Sequence, residues 1–175
     1  MALDVWVFGY GSLIFRADFP FVERRIARIF GFERRFWQSS PDHRGTPEAP
    51  GRVVTLIASA NTPLLGVAYR LESAQAEAVL ADLDHRERAG YERVEVRLEF
   101  TVEPFGQACG VTYLARPRNP GFVQNPNELE IAAVIRDARG PSGDNVSYVR
   151  RLAEALREMG EDDPHVFAIE RLLAE

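Results

Sequence analysis

At 175 residues and 46% hydrophobic composition, the chain can bury one good core and is too short for two comfortable ones, so a single domain over 1–175 is expected. A formal net charge of −5 and an isoelectric point near 5.3 leave no basic footprint for a phosphate backbone, which argues against nucleic acid as a partner and for a small solute. The single cysteine has no disulfide partner, the chain opens on no basic and apolar leader, and no apolar run nears the roughly 18 residues that span a bilayer; a soluble, cytoplasmic protein without a membrane partner is expected.

The first element is a short apolar run, Val5-Trp6-Val7-Phe8, that breaks into Gly9-Tyr10-Gly11-Ser12-Leu13. It reads as a strand followed by a loop whose glycines let main chain approach a ligand closely. A tight turn of no special function is the alternative. Phe19-Pro20-Phe21 reads as a turn, and 26–36 as a strand with Gly31 marking a bulge. Residues 39–51 hold three prolines and two glycines and read as a long loop, of the kind that is either functional or disordered. The runs 53–58 and 64–71, separated by Asn61-Thr62-Pro63, read as a hairpin-like pair.

Ser73 is placed to cap a helix with Ala76, Val79, Leu80 and Leu83 on one stripe and Gly90 as its stop. Continued by four residues, that stripe reaches Glu87. A carboxylate on an inward face needs a partner or a proton, unless the helix frays first and Glu87 is one more solvated charge. Val94, Val96, Leu98, Phe100 and Val102 then alternate with polar residues as a half-buried strand, and the turn at Pro104-Phe105-Gly106 leads into its antiparallel partner over 107–115. Within that partner, Cys109 reads as a small buried hydrophobe. A helix follows over 128–137, then a break at Gly140-Pro141-Ser142-Gly143-Asp144. A second helix carries Val146, Val149, Leu152, Ala153, Leu156 and Met159 and closes at Gly160, and a last short helix starts at Asp163-Pro164. Strands first and helices last point to an α+β fold with a small mixed, mostly antiparallel, barrel-like sheet and packed helices.

Several chemistries fail on spacing. Gly9 and Gly11 start a dinucleotide fingerprint, but Ile14 stands where its third glycine belongs. No Gly-Lys-Ser/Thr provides a phosphate loop. Asp144 replaces the closing glycine of a nucleophile elbow around Ser142. His43, His85 and His165 are scattered without ligand spacing, so no metal site is expected and each histidine reads as a surface or satisfied polar group.

Four stretches, taken together, resemble a known family. Val7-Phe8-Gly9-Tyr10-Gly11-Ser12-Leu13, the segment from Arg35-Phe36-Trp37-Gln38 to Asp42-His43-Arg44-Gly45-Thr46-Pro47, Leu83-Asp84-His85-Arg86-Glu87-Arg88-Ala89-Gly90-Tyr91, and Gly140-Pro141-Ser142-Gly143 with Asn145 and Tyr148 look like the ChaC-type gamma-glutamylcyclotransferases. Departures fall around Glu87, where His85, Arg88 and Ala89 replace an aromatic, a lysine and a glycine. The resemblance implies a gamma-glutamylcyclotransferase-like barrel domain and cleavage of glutathione to 5-oxoproline and cysteinylglycine without metal or organic cofactor. It also implies a glycine loop of Val7, Phe8, Gly9, Tyr10, Gly11, Ser12 and Leu13 that binds the γ-glutamyl moiety, Glu87 as general base and acid, and Tyr148 as a pocket residue.

The chemistry agrees with so sparse a set of groups. Glutathione's own α-amine attacks its γ-carbonyl carbon, so positioning matters more than an enzyme nucleophile; well-oriented intramolecular attack reaches effective molarities on the order of 10⁵ M or more. Arg44 either grips the glycyl carboxylate, as guanidinium does bidentately, or lies in a surface turn. Tyr148 either packs at the edge of its helix stripe or lends a hydroxyl. Two other readings stand beside the first: a cyclotransferase for other γ-glutamyl amines or peptides, and a non-catalytic γ-glutamyl-binding regulatory module on the same fold.

Overall fold

The structure is a computed structural model, and it describes residues 4–86 and 90–175. In chain order the elements are β1 (Trp6–Gly9), a 3-10 turn (Ser12–Ile14), β2 (Glu23–Ser40), β3 (Gly51–Arg70), α1 (Ala76–Arg86), β4 (Tyr91–Phe100) and β5 (Gly106–Ala115). There follow α2 (Glu128–Asp137), β6 (Arg139–Gly140), β7 (Gly143–Asp144), α3 (Asn145–Met159) and α4 (Pro164–Ala174). The fold class is the expected α+β. Two compact units divide the chain: Met1–Glu33 with Ala58–Arg116, and Arg34–Ile57 with Pro117–Glu175.

The first unit holds the barrel. Its strands follow the order β1-β3-β2-β4-β5 and close on themselves. β1 runs antiparallel to β3, Trp6 opposite Arg70 through Gly9 opposite Val67, and parallel to β5 at Val7 and Val111. β4 and β5 pair antiparallel along their whole length, from Tyr91 opposite Ala115 to Phe100 opposite Gly106. Alternation works as the sequence implies: Val96, Leu98 and Phe100 are buried while Glu95 and Arg97 face out. Val102 lies beyond the end of β4 and is exposed. α1 lays Ala76, Val79 and Leu83 against Val7, Leu71 and Tyr113, so its apolar stripe is the expected one.

Two expectations are corrected here. Residues 53–71 do not fold back as a hairpin; β3 is one strand of 20 residues running straight through Asn61-Thr62-Pro63. Proline ends a strand only where its missing N–H is needed in the ladder, and its fixed φ suits extended chain. Cys109 is exposed rather than buried. It stands opposite Arg97 in the β4–β5 register, and cross-strand neighbours share a face, so the period of two puts it on the wet side with that arginine. The glycine expected to bulge in β2, Gly31, has φ +86°, the left-handed conformation a bulged glycine adopts.

The second unit holds α2, α3 and α4, packed on one another through Ile131, Ile135, Val149, Leu152, Leu156, Val166 and Ile169, all buried. Local signals set their ends. Asn127 and Glu130 form a reciprocal capping box at α2. Asp144 caps α3 and Asp163 caps α4, which takes Pro164 in its first turn; Gly160 ends α3 in the left-handed conformation at φ +76°. One face of β2 in this unit is continuous and buried: Arg34, Phe36, Gln38 and Ser40. Arg34 is fully buried and pairs with Asp163 at 3.1 Å, tying that strand to the start of α4. His165 is buried beside Phe36, whose N–H donates to Nε2 at 3.1 Å; Nδ1 lies 3.4 Å from Glu128 Oε1. This histidine is a satisfied polar group, as its spacing implied. Among the described residues no helix is long and apolar enough to cross a membrane.

Candidate active site

The glycine loop lies in the first unit and is built mainly of main chain. Val7, Phe8 and Tyr10 are buried, and the Tyr10 hydroxyl donates to the Tyr113 carbonyl at 2.6 Å. These side chains hold the loop rather than face out of it. After Gly9 the chain curls into the 3-10 turn, where Ile14 N–H donates to Gly11 O at 3.0 Å. The N–H groups of Ser12 and Leu13 therefore have no acceptor within the turn. The Ser12 side chain is exposed and Leu13 half-buried beside it.

Packing explains the glycines. A Cβ on Gly9 would sit 2.4 Å from Leu13 Cβ, so the turn folds back over Gly9 only because no side chain is there. Opposite, a Cβ on Gly66 would meet Gly9 O at 2.4 Å and the Phe8 ring at 2.5 Å. Two further hydrogen bonds fix the loop: Thr112 Oγ1 to Phe8 O at 2.8 Å and Tyr69 OH to Leu13 O at 2.5 Å. Side chains from β3 and β5 thus take up carbonyls of this stretch.

α1 persists to Arg86, so the helix on which the inward reading of Glu87 depended reaches the residue before it; Glu87 itself lies outside the described residues. The last turns of α1 are tethered. Tyr113 OH donates to Asp84 Oδ1 at 2.7 Å, and Arg93 Nη1 lies 3.1 Å from Asp84 Oδ2. Burial, then the hydrogen bond to Asp84, push the Tyr113 phenol well above its ordinary value, which keeps it a donor.

Arg44 and Tyr148 lie in the second unit, and the structure brings them together. The Arg44 guanidinium carbon is 5.3 Å from the Tyr148 ring centroid, and Nη1 donates to the Asp144 carbonyl at 3.2 Å. Arg44 is 7% exposed, so the surface-turn alternative is ruled out. Its own N–H donates to Ser40 Oγ at 3.0 Å. The Tyr148 hydroxyl accepts from Val54 N–H at 3.4 Å, and complete burial pushes the phenol up to about 12.

The motif residues around these two side chains form a backbone knot. Ser142 N–H donates to His43 O at 3.0 Å. A Cβ on Gly140 would lie 2.4 Å from His43 O and 2.6 Å from Gly45 N, so the 41–51 loop and the β6–β7 hairpin touch main chain to main chain. Asn145, fully buried, accepts from Arg52 N–H at 2.6 Å and donates to Arg52 O at 2.8 Å. Sequence reasoning quoted Asn145 as part of a motif and gave it no role; the polar cap position beside Asp144 was its only signal. Asp84, Tyr113 and Gly66 went unassigned for the same reason, since each acts through a partner far away in sequence. Among the described residues, no group of three or more His, Cys, Asp or Glu is placed to hold a metal ion.

A closed five-stranded barrel with a main-chain glycine turn after its first strand defines a class of small α+β barrel proteins. The family model for ChaC-like proteins matches residues 5–175, and the chain belongs to that family. It is 41% identical over 97% of its length to glutathione-specific gamma-glutamylcyclotransferase 1 of Danio rerio, 89% of which is covered. It is 38% identical over 94% of its length to the human protein of that name, with 76% of the latter covered. Among solved structures it resembles a yeast gamma-glutamylcyclotransferase specific to glutathione, with a TM-score of 0.92 at 29% identity over 98% of this chain and 96% of that one.

Proposed function

We propose that this protein is a gamma-glutamylcyclotransferase that cleaves glutathione to 5-oxoproline and cysteinylglycine. What carries the reading is similarity along nearly the whole chain to enzymes named for that reaction, at 41% identity in the nearest case cited above. The reaction is an internal exchange of C–N bonds. The α-amine nitrogen bonds to the γ-carbonyl carbon, the isopeptide C–N bond breaks, the α-amine's proton ends on the departing cysteine nitrogen, and no water is consumed.

In this reading Glu87 takes the proton from the α-ammonium and returns it to the leaving nitrogen, a transfer worth roughly 10²- to 10⁴-fold in rate. Val7, Phe8, Gly9, Tyr10, Gly11, Ser12 and Leu13 bind the γ-glutamyl end. Main-chain N–H groups with no acceptor inside the turn suit the oxyanion that forms at the γ-carbon, where one donor is typically worth about 10²-fold or more. Arg44 and Tyr148 are the remaining substrate-binding residues. The Arg44 guanidinium has the chemistry for the glycyl carboxylate. A chain with one cysteine forms no internal disulfide, which fits work in the reducing cytoplasm.

The test is to incubate wild type and Glu87→Gln with glutathione in the presence of a chelator and quantify both products. Equal release of 5-oxoproline and cysteinylglycine by wild type, with a loss of at least about 100-fold in the variant, is expected. A variant within a few-fold of wild type refutes the proton shuttle. Saturable glutathione binding by calorimetry with no product from wild type supports the regulatory module instead.

A further inference from the structure

Gln38 carries a buried polar atom that the fold does not use. It lies on the buried face of β2 in the second unit, between Phe36, whose ring meets Tyr148 edge-on at 6.1 Å, and Ser40, whose hydroxyl holds the Arg44 N–H at 3.0 Å. Its residue is 3% exposed. The amide nitrogen donates to Ser39 O at 3.3 Å and Asn119 Oδ1 at 3.4 Å. The amide oxygen has no hydrogen-bond partner among the described residues.

The orientation of this amide is fixed by its neighbours. Asn119 Oδ1 accepts from Gly121 N–H at 2.7 Å, so that atom is an oxygen and requires a donor from Gln38. Turning the Gln38 amide over would set oxygen against two oxygens. The nitrogen therefore faces Ser39 and Asn119, and the oxygen faces the other way. Buried acceptors in folded proteins are nearly always paired, and one left open by so determined a network calls for a donor from outside the chain.

We propose that Gln38 is a specificity residue whose amide oxygen accepts a hydrogen bond from the Cys–Gly amide N–H of glutathione's leaving dipeptide. The inference rests on the proposed function and deepens it. In that dipeptide the N–H stands one methylene from the glycyl carboxylate, and on β2 the Gln38 acceptor stands two residues from the serine that seats Arg44. An N–H close to a carboxylate matches an acceptor on the strand face whose neighbours, Phe36 and Ser40, touch Tyr148 and the Arg44 main chain. The segment lying on this amide is held to β2 by Ser39 N–H to Gly121 O at 2.8 Å and Val123 N–H to Trp37 O at 2.7 Å. A Cβ on Gly121 would lie 2.6 Å from Gln38 Nε2. The 119–123 segment therefore covers the nitrogen side of the amide and holds its orientation.

The test compares glutathione with its depsipeptide, in which an ester oxygen replaces the Cys–Gly amide N–H. The scissile γ-glutamyl bond is the same in both, so the chemical step is unchanged. Wild type is expected to favour glutathione by roughly tenfold or more in kcat/KM, because the ester leaves the acceptor unpaired. Q38M is expected to lower glutathione turnover until the two substrates agree within about twofold; a merely structural role would lower both alike. Q38L serves the same comparison if Q38M fails to fold. Equal turnover of both compounds by wild type overturns the inference on its own, as does a preference that survives in the variants. Failure of wild type to turn over either compound overturns the proposed function and this inference with it.

Discussion

The Asn145 side chain holds both backbone groups of Arg52, accepting its N–H at 2.6 Å and donating to its carbonyl at 2.8 Å. One amide at the start of α3 thereby replaces the ladder partner that β3 would otherwise need, and it does so from a fully buried position. Asn145→Ala strips both bonds at once. Leaving two main-chain groups unpaired costs about 2–4 kcal/mol, which urea unfolding will show as a lowered midpoint with little change in slope. Asn145→Asp keeps the acceptor but sets a buried carboxylate oxygen against the Arg52 carbonyl, so it is expected to cost at least as much as Asn145→Ala.

Gly66→Ala tests whether the glycine loop is held by close packing. The added methyl meets Gly9 O and the Phe8 ring at 2.4 and 2.5 Å, and neither backbone nor a buried ring yields cheaply. Overpacking of this kind costs about 1–3 kcal/mol. Because the strain falls on the loop itself, kcat/KM for glutathione is expected to drop by roughly tenfold or more even where the protein is fully folded, since small misplacements are costly at a reacting centre. Near-normal activity in a folded variant would show that the loop's exact path does not matter.

His165 gives stability a defined pH dependence. Burial first, then the nearby Arg35 charge, lower its pKa below the ordinary value near 6.5, and its Nε2 already accepts from Phe36 N–H. A base with a depressed folded pKa binds fewer protons folded than unfolded, so its contribution is complete above about pH 6.5 and is lost as pH falls below that toward the folded pKa. Urea midpoints between pH 5 and 8 should fall on the acid side. His165→Gln, which cannot charge, should flatten that part of the curve.

Asp163→Asn removes the carboxylate that faces Arg34. The Arg34 side chain is wholly buried, and breaking a buried ion pair from one side typically costs about 3 kcal/mol or more. The same substitution preserves an oxygen for the Val166 N–H cap of α4 at 3.1 Å, so loss of the cap cannot account for a large effect. A thermal midpoint within a degree or two of wild type would show that the pair contributes little.

Elements set by local chemistry were legible in the sequence. The α2 boundaries, the Gly160 stop, the Asp163-Pro164 start and the alternation in β4 all follow from capping and periodicity within a few residues. The continuity of β3 was not legible, because a proline after two polar residues looks the same in a turn and in a tolerant stretch of strand until its neighbours are known. Cys109 was misjudged because its apolar neighbours suggested a buried run, while its face depends on register with Arg97. In the candidate site, the glycine loop was visible as a motif, but Gly66, Tyr69 and Thr112, which hold it in place, lie about 60 to 100 residues away. Arg44 carries its role in a knot of main chain that no local pattern describes.

The outward turn of Cys109 makes the barrel easy to instrument. The chain has one thiol and no lysine, all 21 of its cationic side chains being arginine. A maleimide fluorophore therefore attaches at a single point on the outer wall of β5, opposite Arg97, with no side-chain amine to divert it. The wild-type polypeptide, with nothing replaced, can report by its own tumbling or by energy transfer from Trp6 and Trp37 what happens to the barrel when substrate is added.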